Sequence, residues 1–370
     1  MARGKMHASH DRKADNSIMT KQELFDIEIR KPSQHIYNRI KANWDHIAKP
    51  LDGLGKLEKI ICKIGAAQDK EQPDIAKRAL VIMCADNGIV AEGVSQSGQE
   101  VTLAVAKNMG AGLSSACKMS ASADVFVRVI DIGINSDEKV AGVLDRKVMP
   151  GTRDFLSAPA MTEAELADAI SVGIDMVRKL KAEGYEILAT GEMGIGNTTT
   201  STAVICALTG KDPDEVTGRG AGLTDSGLLR KKEVIKNALE KYNFGGDAFE
   251  ILRCVGGLDI AGMCGMFIGG ALYNVPIVLD GIISAAAALC AERILPGCRK
   301  YMIASHCGAE PAARPVLDEL ELEPVIYADL ALGEGTGAVM LFPLLDMAMD
   351  VYKESSSFDD IGVEQYEKYN

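Results

Sequence analysis

The sequence predicts an α/β protein with a doubly wound, mostly parallel sheet and a smaller helical domain. Short, continuously apolar runs such as Ala79-Leu80-Val81-Ile82-Met83-Cys84 read as strands covered on both faces, the habit of parallel sheets. These runs alternate with helix-period segments along most of the chain. Several of them end in an acid or hydroxyl beside glycine, and open α/β sheets place their ligand crevice at such strand ends. Together these features describe a Rossmann-like sheet.

Residues 1–19 are polar and basic, without an apolar core, and are set aside as a disordered extension or an expression remnant rather than a signal peptide. Helical spacing of Asp26, Ile29, Ile36, Ile40, Trp44 and Ile47 predicts helix from Lys21, with a turn at Lys49-Pro50-Leu51-Asp52-Gly53 and a second helix through Ile60 and Ile64 to Gln68. Residues 20–75 are therefore assigned to the small helical domain, joined by the last helix at 338–353. The α/β domain spans 76–337. Its first half reads as strand 79–84, helix about 99–120, strand 125–131, helix 162–183 and strand 187–189. Its second half reads as helices 198–208, 228–242 and 260–273, strand 276–280, helix 282–292, strand 301–304, a helix around 309–320 and a short strand at 325–326. The end, 354–370, is acidic and expected to be loose.

Composition narrows the function. The chain has 370 residues, 47% hydrophobic and 25% charged, enough apolar material for a substantial core. Its 40 basic and 52 acidic residues give a net charge of −12 with no basic stripe, which excludes nucleic acid as a partner. The uncharged run Ile260 to Leu279 has membrane-span length, but Asn274 and Pro276 interrupt it and no aromatic or basic anchors flank it. A buried helix and strand are expected there. Nine cysteines without CxxC or a Cys/His cluster read as buried reduced thiols in a cytoplasmic chain, with no metal site. The 37 glycines beside only 5% aromatics indicate backbone that comes close to a ligand.

The motifs locate that ligand. Gly191-Glu192-Met193-Gly194-Ile195-Gly196-Asn197-Thr198 feeds a strand end into a helix start, where free N–H groups and the positive dipole end suit a phosphate. It lacks the Lys of a Walker loop and the spacing of a dinucleotide fingerprint. A dinucleotide-dependent oxidoreductase is disfavoured by the same absence after the first strand. Gly218-Arg219-Gly220-Ala221-Gly222, followed by Lys231, forms a second anion loop or simply a solvated helix start. Glu334, flanked by glycines in Leu332-Gly333-Glu334-Gly335-Thr336-Gly337, is a helix cap or a general base with room for substrate beside it. His306 is a further candidate base or a structural strand-end residue.

These segments, with Ala85 to Thr102, Val255 to Met263, Val278 to Leu289 and Ser305 to Ala312, resemble in order the nicotinate-nucleotide:dimethylbenzimidazole phosphoribosyltransferase family from about Lys49 to Met349. The resemblance implies a homodimer that transfers phosphoribose from nicotinate mononucleotide to an aromatic base in cobalamin lower-ligand synthesis, without cofactor, metal or membrane. It implies Glu334 as catalytic base, with Glu192, Gly194, Gly220, Lys231, Gly281 and Ser305 around the nucleotide and Ser97 in the segment facing the acceptor. Two departures bear on the acceptor. The family's usual Asp-His-Gly is Asp86-Asn87-Gly88 here, and Ser97-Gly98 precedes Gln99-Glu100-Val101-Thr102 where a proline is common. A relative that uses phenol or p-cresol, working as a heterodimer with a paralogous subunit, is the alternative. A non-catalytic binding subunit is another, opposed by the intact Glu192, Lys231 and Glu334.

Overall fold

Alternation along the strand Arg78–Ala85 (β1) sets the layers of the molecule. Every residue of β1 is buried. Ala79, Val81, Met83 and Ala85 enter one hydrophobic layer, while Leu80, Ile82 and Cys84 enter the other. The structure, a computed structural model, describes residues 19–242 and 244–367. The extension expected at 1–19 lies, up to residue 18, outside the described residues.

Strands β2 (Phe126–Gly133), β3 (Val143–Asp145), β4 (Ile187–Met193), β5 (Ile277–Leu279) and β6 (Met302–Ala304) join β1 in a six-stranded sheet, ordered β3-β2-β1-β4-β5-β6. All five pairings are parallel. The chain order reverses between β1 and β4, the switch point at which such sheets open a crevice. Strands β7 (His306–Cys307) and β8 (Ile326–Tyr327) form a separate parallel pair. The sequence reading did not foresee β3, a short, largely exposed edge without an apolar run.

The expected helix from Lys21 is two helices, α1 (Lys21–Phe25) and α2 (Gln34–His46). Pro32 disfavours helix before it, and the Ser33 hydroxyl restarts it by accepting Ile36 N–H at 3.3 Å. Next come α3 (Lys56–Gln68), α4 (Glu100–Gly110) and α5 (Ser115–Ser122). The last two replace the single helix expected over 99–120, because Gly112 turns left-handed at φ +72 and Ser114 caps anew. Helix α6 (Glu163–Ala182) opens with a Thr162/Glu165 capping box. The chain continues with α7 (Asn197–Thr209), α8 (Pro213–Val216), α9 (Asp225–Lys241), α10 (Ala248–Val255), α11 (Leu258–Tyr273), α12 (Ile282–Ile294), α13 (Ala313–Glu319) and α14 (Thr336–Glu354). The unforeseen α10 is signalled by the Asp247 cap, which accepts from Phe249 N–H and Glu250 N–H, and by the helical spacing of buried Ala248, Ile251, Leu252 and Val255.

Helices α6, α7, α11 and α12 contribute to the first layer, and α3, α4, α5 and α14 to the second. In the second, Trp44 of α2 is fully buried with its ring 5.0 Å from that of Tyr352 on α14. The acidic end is not loose throughout. Phe358 is 3% exposed, and its N–H donates to His46 O at 3.2 Å. One apolar side chain thus seats the segment on the end of α2.

The uncharged run is α11 followed by β5, and no helix among the described residues is long and apolar enough to cross a membrane. Its glycines serve packing. A Cβ at Gly265 would lie 2.0 Å from Ile170 O of α6, and one at Gly173 would lie 1.9 Å from Gly262 O. The two backbones meet directly, so Gly265→Ala must push α6 away. Overpacking of this kind costs roughly 1–3 kcal/mol. The variant is expected to unfold at lower urea than the parent; an unchanged midpoint would mean that α6 yields without cost.

Candidate active site

Six chain segments converge beyond the carboxyl ends of β4 and β5 around a cavity of about 250 Å³. Strand β4 delivers Glu192 to Gly194, and β5 delivers Asp280 and Gly281. The turn before α14 brings Gly333 and Glu334, the loop after β7 brings Glu310, and the Gly218–Gly222 loop brings Arg219 and Gly220. Val94, Ser95 and Gln96 also line it, and Gln96 Nε2 donates to Gly222 O.

Helix α7 points its N-terminus at this space. Gly196 stands at the N-cap in left-handed conformation (φ +91), and no side chain caps the helix there. Asn197 and Thr198 of the first turn line the cavity. The positive end of the dipole is therefore directed at whatever binds. Some of the glycine density has a different cause from the one the sequence suggests: a Cβ at Gly191 would lie 2.6 Å from Glu334 O, and one at Gly194 would lie 2.5 Å from Ala85 O. These two admit neighbouring protein backbone.

Behind the wall lies a buried acid pair. The Asn197 amide donates both to Glu192 and, at 2.9 Å, to Asp259 Oδ2. Burial pushes the Glu192 carboxyl up to about 8, with the charges of Asp259 and Asp280 adding to it and hydrogen bonds from Asn197 and from the backbone of Glu334 opposing. Burial likewise raises Asp259, to about 6. Burial and its acidic neighbours thus favour the protonated form of Glu192, which can donate as well as accept.

Asp280 does different work. Its carboxylate accepts N–H from Gly335 at 3.0 Å, Gly337 at 2.8 Å and Ala338 at 3.2 Å, capping α14 from the end of β5. The turn it holds contains three successive left-handed residues, Gly333 (φ +80), Glu334 (φ +60) and Gly335 (φ +90). Left-handed backbone costs a residue with a side chain roughly 1–2 kcal/mol, and such strain gathers at functional sites. The Glu334 carboxylate accepts Ala116 N–H of α5 at 3.3 Å.

Of the residues singled out in the sequence, Glu192, Gly194, Gly220, Gly281 and Glu334 line the cavity. Lys231 is fully buried behind it, its Nζ donating to Thr198 Oγ1 at 2.9 Å and Gly218 O at 3.1 Å. Burial lowers it to about 8, against the charge of Glu310. Ser305 is also buried, its Oγ donating to Leu279 O at 2.5 Å and lying 2.9 Å from His306 Nδ1. His306 reaches the lining, and burial depresses its ring's basicity. Ser97 stands just beyond the lining, which Ser95 and Gln96 form instead. Asp259 and Glu310 escaped the sequence reading as site residues.

Residues 29–363 match a family described as Phosphoribosyltransferase. A protein of Ruminiclostridium cellulolyticum named nicotinate-nucleotide--dimethylbenzimidazole phosphoribosyltransferase is 41% identical over 350 residues, 94% of this chain and 99% of that protein. A protein of the same name from Acetivibrio thermocellus is 41% identical over 329 residues, covering 89% and 94% of the two chains. The crystal structure of CobT from Thermus thermophilus superposes with a TM-score of 0.85 at 37% identity, over 90% of this chain and all (100%) of that one.

The raised Glu192 gives a stability test. Between its ordinary value of 4.5 and about 8, the folded chain holds a proton that the unfolded chain has lost, so this group's contribution falls as pH rises through that window. Glu192→Gln removes the penalty. The variant's urea midpoint should gain on the parent's between pH 5 and pH 8; parallel curves would show that Glu192 does not retain the proton.

Proposed function

The chain belongs to the phosphoribosyltransferase family, and we propose that it moves phosphoribose from nicotinate mononucleotide to 5,6-dimethylbenzimidazole, giving α-ribazole phosphate and nicotinate. One observation carries this reading: a single cavity gathers Glu334, the N-terminus of α7 and the Gly218–Gly222 loop backed by Lys231. That is one base and one anion site, the two needs of the reaction.

Nicotinate attached through its ring nitrogen is a pyridinium cation. It leaves with the bonding electron pair and needs no acid. The acceptor is the harder side, because a benzimidazole N–H must lose its proton while the other ring nitrogen attacks the anomeric carbon from the opposite face. Glu334 takes that proton, in a turn whose left-handed backbone its glycine neighbours make possible. The phosphate lies at the α7 N-terminus, near Gly194, Gly220 and Lys231. Protonated Glu192 and Gly281 face the ribose, and Ser305 supports that wall through Leu279 O. Ser97 and its neighbours Ser95 and Gln96 border the acceptor side.

A phenolic acceptor is the second reading, favoured by Asn87 where the family usually has histidine. Asn87 is fully buried, and its amide donates to Ile195 O at 3.3 Å, next to the α7 entrance. With a phenol, Glu334 accepts an O–H proton instead. Exposed Met340 and Met347 on α14, with Leu113 and Leu332, suit a homodimer, and they would serve a heterodimer equally well. Residues 20–75 with 338–353 make up the small domain, unified by the contact of Trp44 with Tyr352. A cytoplasmic setting accords with nine cysteines free of disulfides.

General bases contribute typically 10²–10⁴-fold. Glu334→Gln should therefore lower turnover at least about a hundredfold while nicotinate mononucleotide still binds; near-normal turnover removes Glu334 from the mechanism. Supplying nicotinate mononucleotide with dimethylbenzimidazole or with phenol, and identifying the riboside by mass, should yield the benzimidazole product. Product from phenol alone would establish the second reading.

A further inference from the structure

Glu310 lies in the same cavity, yet the transfer chemistry leaves it without a task. It follows β7 in the loop that leads to α13, and its carboxylate reaches across to the Gly218–Gly222 loop. Oε1 accepts Gly220 N–H at 3.0 Å. Oε2 lies so close to Gly218 that a Cβ there would meet it at 1.5 Å. Gly220 and Gly222 are left-handed, at φ +54 and +96, the kind of backbone that turns N–H groups toward an anion. The position of a Cβ on Gly220 is 2.7 Å from Thr198 Oγ1, and Thr198 accepts from buried Lys231. A carboxylate therefore occupies an anion cradle built from a glycine loop, an ammonium group and the first turn of α7.

We propose that Glu310 is a resident counter-anion of the phosphate cradle, and that a phosphate monoester binds by displacing its carboxylate from Gly220 N–H. This rests on the reading of the cavity as a phosphoribosyl site. A phosphate and a carboxylate on one donor repel each other, and like charges juxtaposed in a partly dry site cost considerable affinity. The carboxylate can leave by side-chain rotation alone. Its loop is held separately by Ala309 N–H to Leu330 O at 3.1 Å and Ala313 N–H to Glu310 O at 2.9 Å. The arrangement keeps the buried Lys231 next to an anion at every stage. It also selects by charge, because a dianionic monoester competes for the cradle better than a singly charged carboxylate such as free nicotinate.

The test compares the full chain with Glu310→Gln, which keeps an acceptor for Gly220 N–H and removes only the charge. Both are titrated calorimetrically with nicotinate mononucleotide, inorganic phosphate and nicotinate riboside at fixed ionic strength. The variant should bind the mononucleotide and phosphate about tenfold more tightly or better, and the riboside unchanged. Equal or weaker mononucleotide binding in the variant overturns the proposal and leaves the phosphoribosyl reading intact. If neither protein binds mononucleotide or phosphate, the reading itself fails and takes the proposal with it. A crystal structure of the parent chain with nicotinate mononucleotide decides independently of the variant's folding. Glu310 should be beyond hydrogen-bond reach of Gly220 N–H, and persistence of that bond refutes displacement.

Discussion

The structure turns on one carboxylate at the end of β5. Asp280 is buried and has an N-terminus to satisfy, that of α14, whose own N-cap is a glycine without a side chain. By accepting three N–H groups it fixes the last long helix to the centre of the sheet. Helix α14 in turn carries the contact with Trp44, so the helical segment from the beginning of the chain is registered against the crevice through the same cap. Remove it, and the turn bearing Glu334 loses its anchor together with one wall of the second hydrophobic layer.

Burial rather than sequence proximity sets the chemistry of the remaining acids. Glu192 and Asp259 are 67 positions apart and share one amide, that of Asn197. In water both would be ionised at neutral pH. Inside the protein, desolvation drives Glu192 toward its neutral form, which lets several acids crowd around one cavity. A chain with net charge −12 can present a positive local field in this way: it comes from a helix end, glycine N–H groups and Lys231, while Glu192 is driven toward its neutral form and Asp280 is turned to capping.

Much of the fold was legible because its central strands are buried on both faces, and such strands announce themselves as unbroken apolar runs. Strand β3 was not, since three largely exposed residues at an edge leave no pattern. The break between α4 and α5 hung on the left-handed Gly112, and a glycine inside an apparent helix is often tolerated. In the site, Glu334 stood out because glycines flank it, whereas Glu192 was marked only by the family resemblance. Lys231 could equally have been a solvated helix start, and only tertiary structure turns it inward. Asp259 and Glu310 act through partners far along the chain, 62 and 90 positions away, which no local motif records.

The left-handed backbone at Glu334 has a consequence for how the protein can be improved or degraded. Glycine is what that conformation prefers: the penalty of roughly 1–2 kcal/mol for a side chain there exceeds the gain of about 0.4–1 kcal/mol that a side chain brings by restricting the unfolded chain. Selection for thermostability alone would therefore drift toward glycine at position 334 and discard the acid. Glutamate stands there at the expense of backbone stability.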